Sequence, residues 1–337
     1  MQQNNTQQNE IKKEHGAYIY ALAVAVLICL QLAAAVIAAV IWRDSLLEES
    51  ANLPPEFLLF ASFLLQAAFT ALYFLFYRKR RIKPTHRLKT KLHPAWYALS
   101  ALLGIACLFL FMGAHTLFDN FLRWAGYTAP DSPFADPSGF LQKSLIILTA
   151  VIAAPIGEEL IFRGGLIDGL DKKYPVFVTA VLSGVLFSFM HMSPAQTIYQ
   201  FFLGFAAACL VLRTKSVLPG IILHMVSNLI VALSLMINPV EAFFTAYTQQ
   251  FIFRSFAGGL VLSILLAAIG TAVFSGLVLI NVKSKKPQNG EQAINIESTT
   301  AKNTLFPAER KNNRVFYACL IAPFLVTLFV WIGAFLV

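Results

Sequence analysis

The sequence predicts an all-α, polytopic membrane protein, and three observations predict it. Hydrophobic residues make up 58% of the 337 positions and charged residues only 13%, against roughly 25% charged in soluble domains. Apolar runs close to the ~20 residues that span a hydrocarbon core recur along the chain. The alternating pattern of a membrane barrel is missing, and in lipid an unpaired backbone leaves helices as the spanning element.

The expectation is eight or nine transmembrane helices, marked at about 17–42, 56–77, 95–117, 141–168, 176–192, 195–212, 217–237, 257–281 and 315–336. The first run is too long for a signal-peptide core and lacks an obvious cleavage site, so it reads as a retained anchor. Lys12 and Lys13 precede it, while the following loop sets Arg43 against Asp44, Glu48 and Glu49. By the positive-inside rule the amino terminus is expected in the cytoplasm, in a bacterial plasma membrane.

Later loops keep the alternation. The basic run Arg78, Lys79, Arg80, Arg81, Lys83, Arg87, Lys89 and Lys91 reads as a cytoplasmic loop that can also meet anionic lipid headgroups. The acidic, proline-bearing loop from about Asp119 to Gly139 is expected outside, Lys172 and Lys173 inside, Ser193 and Pro194 outside, Arg213 and Lys215 inside. The aromatic stretch 238–256 reads as an amphipathic segment on the outer interface, and 282–313 as a polar cytoplasmic loop.

A net charge of +9 therefore reports topology and points to membrane lipid, with no nucleic-acid partner expected. Cys29, Cys107, Cys209 and Cys319 sit in apolar segments without metal-ligand spacing. The chain divides into amino-terminal helices over 1–140, a core over 141–237 and carboxyl-terminal helices over 238–337.

Ionisable residues inside the spans are few: Glu158, Glu159, Arg163, Asp168, His191 and His224, with His115 near the end of the third span. A charge near the bilayer centre costs about 2.5 kcal/mol or more, so it persists where it has a partner, water or a task. Residues four apart share a helix face, which pairs Glu159 with Arg163. Glu158 lies about 100° away around the axis and has no charged partner at that spacing. Phe187 stands one turn before His191, and His224 one turn before Asn228.

A carboxylate with two imidazoles can activate water for attack on a peptide carbonyl, or supply three ligands to a catalytic zinc. Both readings are open at this level. His-Glu-x-x-His and Gly-x-Ser-x-Gly are absent, and Asp168-Gly169 lacks a second aspartate motif.

Glu158-Glu159-x-x-x-Arg163, Phe187-x-x-x-His191 and His224-x-x-x-Asn228, in this order on separate spans, resemble the CAAX protease and bacteriocin-processing family of intramembrane endopeptidases. The resemblance covers roughly 145–237. It implies that Glu158 and His191 activate water, that His224 and Asn228 stabilise the oxyanion, and that Glu159 with Arg163 positions the site. Phe187 is a supporting residue.

Family members have been described as metalloproteases and as metal-free glutamate proteases. Asn228 is a poor zinc ligand and a good oxyanion donor, so no cofactor is expected. The alternative is Zn2+ on Glu158, His191 and His224. The implied substrate is a membrane-associated, in some members lipidated, peptide or protein.

Two other function classes compete. A proton-coupled transporter using Glu158 and His191 as a relay would show repeated halves, which the sequence lacks. A scaffold or immunity protein would keep the fold without catalysis. A rise of about 1.5 Å per residue from the inner loop ends puts Glu158 and His224 near 15 and 14 Å but His191 near 22 Å. The expectation of a shared site thus carries a mismatch in height.

Overall fold

The computed structural model describes residues 12–43, 53–82, 87–88, 91–129, 137–247 and 313–335. Its helices are α1 Lys13–Ile41, α2 Pro55–Lys79, α3 Pro94–Trp124, α4 Gly139–Leu170, α5 Val176–Met190, α6 Thr197–Thr214, α7 Leu218–Met236, α8 Asn238–Tyr247 and α9 Asn313–Gly333. No strand occurs among the described residues. The first seven expected spans and the ninth each coincide with a helix. Six of these helices are long and apolar enough to cross a membrane, while α5 and the apolar part of α3, Pro94–Leu108, are shorter.

Burial separates the centre from the rim. In its most apolar window α4 is 56% buried, against 17% for α1 and α9. It is the axis around which α1, α2, α5, α6 and α7 pack. The rim helices turn Leu32, Val36 and Val40 of α1, and Leu325, Phe329 and Ile332 of α9, outward. Such apolar side chains are covered at no cost by a hydrocarbon phase.

Small residues set the close approaches, as they do between membrane helices. A Cβ on Gly157 of α4 would stand 2.7 Å from the Gln66 carbonyl of α2. Gly16 of α1 and Gly169 of α4 meet in the same way, backbone against backbone.

The α4 helix is not uniform. Ile147–Ala153 and Leu160–Leu166 are π-helical, and Ala154–Glu159 between them is α-helical. Pro155 sits at the first junction. A proline ring in a helix interior collides with the carbonyl four residues back, here Val151, and the wider π turn relieves that collision.

The structure corrects several expectations. Asp119 and Arg123, assigned to a loop, lie on the last turns of α3 as an i,i+4 pair at 2.9 Å. Asn313, assigned to the polar loop, begins α9 and accepts from Lys13 and Lys173 at 3.1 Å each. Arg87, read as part of a basic cytoplasmic loop able to meet lipid headgroups, is buried: its Nε donates to Asp168 Oδ1 at 2.6 Å. An aspartate in a buried helix requires such a countercharge. The Tyr77 hydroxyl also meets Asp168, at 3.2 Å, and the Gly164 carbonyl at 2.7 Å. The amphipathic segment is helical over Asn238–Tyr247; its remainder, the eighth expected span and nearly all of the polar loop lie outside the described residues.

Candidate active site

The middle of α4 places Glu158 and Glu159 on consecutive positions, both buried. As the i,i+4 spacing requires, Arg163 Nη1 donates to Glu159 Oε1 at 2.9 Å. The guanidinium is fully enclosed. Its Nη2 donates to the Gly204 carbonyl of α6 at 2.7 Å, and its carbon lies 4.5 Å from the centre of the Phe187 ring. Two opposite charges out of water hold only when geometry and further hydrogen bonds offset their desolvation; Gly204 and His224 supply such bonds, while Glu159 Oε2 and Arg163 Nε have no hydrogen-bond partner among the described residues.

Glu158 faces elsewhere. Its Oε1 accepts from Gln66 Nε2 of α2 at 2.9 Å. Its Oε2 stands 3.9 Å from His191 Nε2 and 4.0 Å from His224 Nε2. The height mismatch expected for His191 does not occur. Loop ends need not be level, and π turns break the uniform rise that the count assumed.

His191 closes α5. Its backbone N–H bonds to the Ser188 carbonyl, and Met192 follows in the left-handed region, so the helix stops. The Phe187 carbonyl, one of the terminal acceptors that a helix end leaves open, takes His191 Nδ1 at 2.9 Å. A carbonyl only accepts, so Nδ1 carries the proton. In His224, Nδ1 meets Glu159 Oε1 at 3.2 Å, and the Arg163-bound carboxylate likewise accepts. In the neutral form of both rings, Nε2 therefore turns a lone pair toward Glu158.

Phe187 fills the space between these groups. Its ring is edge-on to His191 at 4.9 Å and to His224 at 5.8 Å. Asn228, one turn beyond His224, donates Nδ2 to the Ala150 carbonyl at 2.8 Å.

Glu158, His191, His224 and Asn228 all line one cavity of about 580 Å³. The other walls are Leu65, Leu108, Met112, Val231 and Leu235, with Gln66, Tyr199 and Gln200 among the polar members. Every sequence-derived site residue is thus in the cavity wall or directly behind it.

Gln66 was missed by sequence reasoning, which enumerated ionisable residues only. An uncharged carboxamide inside an apolar span was the available signal.

Zinc would require a tighter donor set. A tetrahedral ion about 2.0–2.1 Å from each ligand holds the donor atoms about 3.4 Å apart. Here Glu158 Oε2 is 3.9 and 4.0 Å from the two imidazole nitrogens. Among the described residues no group of three or more His, Cys, Asp or Glu side chains has metal-holding geometry. The spacing does not fit zinc. A water about 2.8 Å from two polar atoms, with a near-right angle between them, bridges about 4.0 Å.

Glu159 leaves no slack behind the site. Its Oε2 lies against Gly220 of α7, where a Cβ would stand 2.8 Å away. Gly220→Ala is expected to push the carboxylate off Arg163 and turn the His224 ring. Overpacking at such a contact costs about 1–3 kcal/mol, so the unfolding midpoint should fall. Thermal unfolding of the purified variant checks this.

Residues 140–230 match the family described as type II CAAX prenyl endopeptidase Rce1-like. A protein of Bacillus subtilis (strain 168), described as "Putative membrane peptidase YdiL", is 30% identical over 118 residues, 35% of this chain. The chain spans about half the length of that curated relative, 47%. No solved structure matches this chain. The matched segment runs from the start of α4 into α7, the elements that carry the three ordered motifs. Over these residues the chain is similar to the type II CAAX prenyl endopeptidase Rce1-like family, the family type that its three ordered motifs resemble.

Proposed function

We propose that this protein is an intramembrane endopeptidase that hydrolyses a peptide bond of a membrane-associated substrate with a water activated by Glu158 and His191. The observation that carries the reading is the convergence of Glu158 Oε2 with the Nε2 atoms of His191 and His224, at 3.9 and 4.0 Å, inside a cavity with apolar walls.

The water occupies the span between Glu158 and His191. Glu158 takes its proton as the oxygen attacks the carbonyl carbon, and His191, fixed through Phe187, orients the water's other hydrogen. The C–O bond forms and the carbonyl becomes an oxyanion. Asn228 offers its second amide hydrogen to that oxygen, and His224 donates from Nε2 when that nitrogen carries a proton. Glu158 then passes its proton to the departing amine as the C–N bond breaks. Glu159 and Arg163 hold the His224 ring and do not touch substrate.

The apolar walls suit the side chains, or an attached lipid, of a peptide that arrives from the bilayer. The test uses the full-length protein in proteoliposomes with membrane-associated peptides, lipidated and unlipidated, and reads products by mass spectrometry. Cleavage at defined bonds is expected. Intact peptides across the set, with proton or solute flux instead, would overturn the reading.

A further inference from the structure

The Asn228 carboxamide bonds to a carbonyl that α4 leaves without a donor of its own. In a π turn the Ala150 carbonyl would accept from the residue five positions on, which is Pro155 and has no N–H. In an α turn it would accept from Ala154, whose N–H goes to the Thr149 carbonyl. Neither helical donor is available, and a half-buried carbonyl without a partner is costly. Asn228 Nδ2 supplies the missing donor at 2.8 Å.

We infer that Pro155 is a positioning residue: by withholding a backbone donor from Ala150 it fixes the Asn228 carboxamide at the cavity wall. One amide hydrogen is spent on the Ala150 carbonyl, which sets the plane of the group and the direction of the second. That carboxamide cannot flip in place, because Oδ1 would then face the carbonyl oxygen. The activity arm of this inference rests on the peptidase reading; the stability arm does not.

The experiment is a double-mutant cycle on the full-length protein with Pro155→Ala and Asn228→Ala, read in thermal unfolding and in peptide cleavage. In the parent, Asn228→Ala strands the Ala150 carbonyl and should lower the unfolding midpoint by at least about 2 °C. With Pro155→Ala the restored N–H takes over that carbonyl, and the same substitution should cost markedly less. In cleavage, Pro155→Ala should lower kcat toward the Asn228→Ala value with KM unchanged, and the double variant should fall no further.

An equal midpoint loss in both backgrounds overturns the inference. Coupled midpoints with parental cleavage in both single variants uphold the bond and remove Asn228 from the chemistry. Should Pro155→Ala fail to fold, Asn228→Asp at pH 8 keeps the shape without an N–H; an unchanged midpoint there overturns the inference as well.

Discussion

Arg163→Met is expected to destabilise the protein by about 3–5 kcal/mol, the cost of leaving one partner of a buried ion pair uncompensated. Arg163 is wholly enclosed and Glu159 is 1% exposed, so water cannot replace the lost charge. The Nη2 bond to the Gly204 carbonyl and the stacking on Phe187 go with it. Adding Glu159→Gln should recover a large share, because the stranded charge is then gone. Unfolding equilibria in mixed detergent, run for both single variants and the double, measure this coupling. A single-variant loss below about 1 kcal/mol would show that the pair is not what holds α4, α6 and α7 in register.

His191→Ala is expected to lower kcat by about 10²–10⁴-fold, the usual share of a positioned acid–base group. KM should change little, since in the proposed mechanism the imidazole acts on the water rather than on the bound peptide. The ring also satisfies the Phe187 carbonyl at the end of α5. A smaller loss of stability, about 0.5–1.5 kcal/mol, therefore accompanies the kinetic effect. His191→Gln, able to restore a donor at the helix end but not the imidazole acceptor that orients the water, should regain part of the stability and little of the rate. Cleavage kinetics alongside thermal unfolding separate the two roles.

Much of the site could be read from residue spacing. The i,i+4 rule paired Glu159 with Arg163 and placed Phe187 beneath His191, because both relations stay within one helical turn. The separation of Glu158 from Glu159 followed from their angle around the axis. What spacing could not supply was anything between helices. The distance from Glu158 to His191 depends on how α5 is set against α4, and counting residues from loop ends misjudged it. Gln66 reaches Glu158 only because Gly157 lets α2 come close.

Arg87 illustrates the opposite error. A basic loop residue is usually solvated, and only the tertiary fold reveals that Asp168 draws this one inside. The π segments of α4 were also illegible, although Pro155 marks where the helix must deform. In the fold as a whole, apolar length identified eight of the described helices, while the reach of α3 to Trp124 was hidden by the polar residues of its last turns.

The most direct measurement is the kcat for peptide cleavage by Glu158→Gln relative to the parent, both purified full-length and matched in unfolding midpoint. The substitution keeps the shape of the side chain but removes the carboxylate that the proposed mechanism uses as the base. If Glu158 activates the water, kcat falls by at least about 10²–10⁴-fold. A variant that cleaves within about tenfold of the parent would contradict it, and the water-activating role would have to leave Glu158.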